Sequence, residues 1–125
     1  FAADPDLDAV FGHVEQFYSP EVDEQFRQRI RCPETPIAGY LSTSTLIRRS
    51  AFFQVGEFDT TMNSAIDIEW YGRIVDQKLK TILHPSVIYR RRLHETNNGL
   101  IYPGVAQRIQ VLKAMLDRRR QAQQG

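Results

Sequence analysis

Cysteine is almost missing from this chain of 125 residues: Cys32 stands alone. An internal disulfide, a Cys-x-x-Cys redox pair and a cysteine zinc-finger ligand set are therefore excluded, and a reducing, cytoplasmic setting is the natural expectation. An excess of one charge is missing too, since 16 Lys and Arg face 15 Asp and Glu for a net charge of +1. A nucleic-acid partner would need a marked basic excess, so none is expected. No apolar run approaches the ~18 residues of a membrane span, and nothing at the start has the pattern of a signal peptide. Phosphate-cradling P-loops, Gly-rich dinucleotide turns and Ser-His-Asp triads find no match.

What is present is ordinary globular material, 42% hydrophobic and 25% charged, with a length suited to about one domain of ~50–250 residues. Charge is unevenly placed. Residues 1–24 hold seven acids and no Lys or Arg, whereas residues 78–120 hold ten basic residues and two acids. The run Arg118-Arg119-Arg120 reads as a solvated helix face. Phe1 opens the chain without a methionine, which reads as part of something longer or as a trimmed chain.

Leu7 to Tyr18 is predicted as a strand from its β-branched and aromatic content. Ser19-Pro20 followed by Glu21, Asp23 and Glu24 predicts a helix start, with an end near Arg31. Two prolines impose a loop from Cys32 to Pro36, and Gly39 marks a turn or a close backbone approach. A strand over Leu41 to Arg49 leads to a short helix from Ser50 to Val55, which Gly56 terminates. Ile66, Trp70 and Ile74 recur at helical spacing in a helix over Ser64 to Lys78. Lys80 to Leu83 and Val87 to Leu93 read as two strands broken at His84-Pro85, and Asn97-Asn98-Gly99 signals a turn. Val105, Ile109, Leu112 and Leu116 predict an amphipathic terminal helix, so the chain divides into 1–102 and a helical tail over 103–125.

Three constellations offer chemistry. Asp67-Ile68-Glu69-Trp70 puts a carboxylate at a helix start, where it can take a proton from a hydroxyl; as a purely structural feature, Ser64 with Asp67 is a capping box. Arg90-Arg91-Arg92-Leu93-His94, followed by Asn97, ends a strand, and alternation puts Arg90 and Arg92 on one face and Arg91 on the other. Guanidinium groups there suit a diphosphate, or a solvated edge strand guarded by charge. Asp4-Pro5-Asp6-Leu7-Asp8 has acid-x-acid spacing without a supporting ligand frame and reads as a linker. His13 and His84 read as structural.

Taken in order, Gly39, Leu46 to Asp59, Asp67 to Arg73 and Tyr89 to Asn97 resemble the C-terminal half of inverting family 2 glycosyltransferases of the GT-A fold. The resemblance covers roughly residues 39–98. It implies an α/β fold, a mixed sheet flanked by helices, lacking the N-terminal nucleotide-binding half. It further implies sugar transfer with inversion from a nucleotide-diphosphate sugar to an acceptor hydroxyl, with Asp67 as the base. Glu69, Trp70 and Gly39 match the acceptor side. Arg92, His94 and Asn97 match the side of the donor diphosphate and metal, with His94 a candidate metal ligand in a set that this chain does not complete. Ile66 stands where the family carries an acid before the base. A divalent metal, Mg or Mn, is implied for the intact enzyme, with none bound to this chain and no activity from it alone. The parent would be cytoplasmic or peripheral to a membrane. The alternative reading is a non-catalytic interaction module, and a homodimer through an exposed sheet edge or apolar faces fits either reading.

Overall fold

A computed structural model describes residues 1–62, 64–97 and 105–124, the side chains of residues 105–107 excepted. A four-stranded sheet is built on β1 (Ala9–Tyr18). Two short strands, β2 (Ile37–Gly39) and β3 (Thr45–Ile47), pair antiparallel with successive stretches of β1. The long β4 (Thr81–Leu93) runs parallel to β1 from Ala9↔Thr81 to Tyr18↔Leu93. The sheet is thus mixed, and with its helices the chain is of the α/β class.

The helices are α1 (Glu24–Arg29), α2 (Arg49–Val55), α3 (Ile66–Asp76) and α4 (Val105–Gln124). One core cluster joins sheet to α2 and α3 through Ala9, Phe11, Val55, Trp70 and Ile74; a smaller one joins Leu93 to Val22 and Phe26 of the α1 segment. Burying the Val, Leu, Ile and Phe side chains among these stabilises by about 1.5–3 kcal/mol each.

Several boundaries differ from the sequence expectation, each for a local reason. The first helix begins at Glu24 because Ser19 is still tied to the sheet: its N–H donates to Leu93 O at 2.9 Å. Asp23 is the cap instead, accepting from Phe26 N–H at 2.8 Å. The two expected strands over 80–93 are one. The His84-Pro85 break is absorbed as a bulge, in which Leu83 to Val87 of β4 faces Phe11 to His13 of β1. Pro85 has no N–H for a ladder, and a bulge tolerates that. His13 Nδ1–H donates to His84 O at 2.8 Å, and Ser86 N–H donates to His84 Nδ1 at 3.2 Å, so both histidines serve the bulge. The acidic start also has structural partners: Asp4 pairs with Lys80 Nζ at 2.8 Å, and Asp8 accepts from Lys80 N–H at 2.8 Å. The expected turn at Asn98-Gly99 and the boundary at 102 lie outside the described residues.

The terminal helix forms, yet it docks through a different stripe. Val111 is buried and Met115 lies against Gly72, whereas Ile109 is 60% exposed and Leu112 and Leu116 also face solvent. Arg118 and Arg119, expected on a solvated face, both hydrogen-bond Asp76, at 3.1 and 2.9 Å. Burial raises the Asp76 carboxyl pKa, but the bonds from Arg119 and Arg118 outweigh it, and the net position is below 3.8. A carboxyl depressed on folding contributes stability above its unfolded value and loses it as pH falls through the folded one. The α4 attachment should therefore weaken below about pH 4. In hydrogen exchange, protection of α4 should drop there while that of α3 persists, and Asp76→Asn should reproduce the loss at neutral pH. Unchanged α4 protection in both cases would mean that Val111 and Met115 hold the helix alone.

Candidate functional site

Asp67 sits in the first turn of α3, and the sequence around it explains where its carboxylate goes. The residue before the helix, Ala65, adopts the left-handed region at φ 59° and contributes no side-chain cap. The capping box expected between Ser64 and Asp67 is not what holds the carboxylate. Asp67 Oδ1 instead accepts the N–H of Ser42 at 2.7 Å, from the 3-10 turn Ser42–Ser44 between β2 and β3. This bond fixes the carboxylate against the sheet, and its second oxygen takes no hydrogen bond from the described residues.

Asp67 lines an open cavity of about 370 Å³ together with Leu41, Ile66, Tyr89, Arg91 and Arg108. Tyr89 and Arg91 reach it from β4 and Arg108 from α4. Along β4 the odd positions Tyr89, Arg91 and Leu93 are half-buried or buried, whereas Ile88, Arg90 and Arg92 are exposed. Arg90 is committed elsewhere, paired with Glu15 at 3.0 Å and stacked on Phe17. The β4 guanidinium that lines the cavity with Asp67 is therefore that of Arg91. The signal was legible in the alternation ending on apolar Leu93, whereas Ser42, a backbone donor, and Arg108, on a distant helix, left none.

The residues expected on the diphosphate side do come together, but around one another. Asn97 Oδ1 accepts His94 N–H at 2.7 Å, and Asn97 Nδ2 donates to Arg92 O at 3.2 Å. His94 Nδ1 meets Thr96 Oγ1 at 2.9 Å. Nearby, Glu21 has its carboxyl pKa lowered chiefly by a short hydrogen bond from Ser19, with smaller contributions from Arg92 and His94. Arg92, His94 and Asn97 do not line the cavity of Asp67. Among the described residues no three His, Cys, Asp or Glu side chains group to hold a metal ion, and no ligand set forms around His94.

The acceptor-side residues have structural partners. Glu69 pairs with Arg73 at 2.9 Å, and Arg73 in turn donates to Val55 O at 2.9 Å and Glu57 O at 2.8 Å, closing the end of α2. Trp70 is 2% exposed and packs against Phe58. Gly39 is buried in β2, where an added Cβ would meet Gly12 O and Val14 Cγ2 at 2.6 Å. The close-approach reading of Gly39 is the one the structure shows. Glu69 reaches a different cavity, with Asp59, Thr61 and Arg118.

No helix among the described residues is long and apolar enough to cross a membrane. No family model, curated protein or solved structure matches the chain.

Proposed function

We propose that this chain is the acceptor-side part of a glycosyltransferase that transfers a sugar from a nucleotide-diphosphate donor to a hydroxyl with inversion, and that Asp67 is the base. The observation that supports this most is the Asp67 carboxylate, oriented by the Ser42 N–H at 2.7 Å, at the wall of a cavity large enough for part of a sugar. Inversion needs one in-line displacement, in which the acceptor oxygen bonds the anomeric carbon as the diphosphate leaves. A fixed carboxylate takes the hydroxyl proton as that bond forms. The other role of this chain is to hold the acceptor beside the base. The implied divalent metal would stabilise the leaving diphosphate; the residues described here do not form its site, and no step is assigned through it.

Asp67→Asn in the intact enzyme should keep donor binding and lower transfer roughly a hundred- to ten-thousandfold, with the thermal midpoint little changed. Wild-type turnover by that variant removes Asp67 from the chemistry.

A self-associating module is the second reading, and one observation favours it. Leu46, Val10 and Ile82 form a cross-strand row on the side of the sheet opposite Ala9 and Phe11, and Leu46 is 63% exposed. Contiguous exposed apolar surface of this kind marks contact sites. Sedimentation of the wild-type chain should then show a dimer that Leu46→Lys converts to monomer; a wild-type monomer ends this reading.

A further inference from the structure

The cavity lined by Asp67 carries an excess of positive charge among its described residues. Arg73 and Arg90 are each paired with a carboxylate, and Arg118 and Arg119 share Asp76. Arg91 and Arg108 both line the Asp67 cavity and have no carboxylate partner among the described residues. They approach from separate elements, β4 and α4, so neither position is a consequence of the other. The described lining residues thus carry two guanidinium charges against the one carboxylate of Asp67. Leu41, Ile66, Ile68 and Tyr89 supply apolar lining in the same cavity.

We propose that the molecule taken up beside Asp67 is a phosphorylated acceptor, with its phosphate between Arg91 and Arg108 and its carbon frame on the apolar lining. This rests on the reading of Asp67 as the base. Two guanidiniums offer more donors than the two oxygens of a carboxylate can use, whereas a phosphate monoester presents three terminal oxygens and close to two negative charges. Asp67 is the only acid among the described lining residues, so their net charge is positive and favours an anion. A diphosphate has similar chemistry, so the source of the anion is decided by the probes.

Titrations of the 125-residue chain by NMR, with phenyl phosphate, phenol and uridine diphosphate as separate probes, provide the test. Phenyl phosphate should move the amides of Ser42, Asp67 and Arg91, and phenol should not. Arg91→Gln and Arg108→Gln should each weaken phenyl phosphate about tenfold, the loss of a charged hydrogen-bond partner. Asp67→Asn should leave binding intact or tighten it, by removing a like charge. Equal binding of phenol and phenyl phosphate, or of phenyl phosphate to wild type and both arginine variants, would overturn the proposal. So would tighter binding of uridine diphosphate through the same arginines, which would make the anion the donor's, and so would no response to any probe. Failure here leaves turnover by Asp67→Asn to be judged separately, because binding and turnover are read independently.

Discussion

Trp70→Ala should destabilise the fold by about 3–5 kcal/mol, a substantial part of the ~5–15 kcal/mol that holds a domain together. Trp70 is 2% exposed, its ring lies 5.1 Å from that of Phe58, and its cluster includes Ala9, Phe11, Val55 and Ile74. Alanine would leave a cavity at the junction of sheet, α2 and α3. Trp70→Phe should cost less than its lost volume suggests. The indole N–H is buried without a hydrogen-bond partner among the described residues, and removing it relieves a desolvation penalty of about 1–3 kcal/mol. Urea titration measures both variants. An alanine variant with the wild-type midpoint and impaired acceptor use would return Trp70 to the acceptor side, where the resemblance to glycosyltransferases had put it.

Gly39→Ala should be a damaging single-methyl change in the sheet. The new Cβ would meet the Gly12 carbonyl oxygen and Val14 Cγ2 at 2.6 Å and Ser44 Oγ at 2.7 Å. The carbonyl belongs to the paired strand β1 and cannot rotate away as a side-chain tip would. Ser44 is fully buried and its hydroxyl donates to Gly39 O at 2.6 Å, so moving it breaks a bond where water cannot substitute. Overpacking costs about 1–3 kcal/mol, and the lost hydrogen bond adds about 1 kcal/mol. The thermal midpoint should fall by several degrees. Gly72→Ala is the comparison, because its added methyl meets the flexible end of Met115 and the helix gains propensity. Equal melting of Gly39→Ala and wild type would show that β2 can separate from β1 at little cost.

Features of this molecule decided by neighbours in sequence were legible, and those decided across the fold were not. Gly56 ends α2 at φ 94° as its position after Val55 predicts, and Ile66, Trp70 and Ile74 do lie on one helix, with Trp70 and Ile74 in the core. The stripe of α4 was misplaced because Val105, Ile109, Leu112 and Leu116 show a periodicity, whereas the docking face is chosen by Gly72 and Asp76 on another helix. At the site the same division holds. The alternation of β4 separates Arg91 from Arg90 and Arg92, but that Arg91 is the one lining the cavity of Asp67 follows from the side on which α3 packs. Asp67 itself was singled out from its position at a helix start; its partner, the Ser42 N–H, is a backbone group and carries no mark in the sequence.

The order in which the sheet is completed has a consequence for biosynthesis. β1 is made first, yet β2 and β3 cover only short stretches of it, and its full-length partner is β4, whose last paired residue is Leu93. A nascent chain therefore carries one long edge of β1 unpaired until Leu93 has left the ribosome. Contacts so distant in sequence close slowly, and an uncovered strand is open to pairing with a neighbouring chain. The helices α2 and α3 emerge during that interval, and their docking on Ala9 and Phe11 would act as a temporary shield, with parallel pairing to β4 as the step that commits the chain to its native topology.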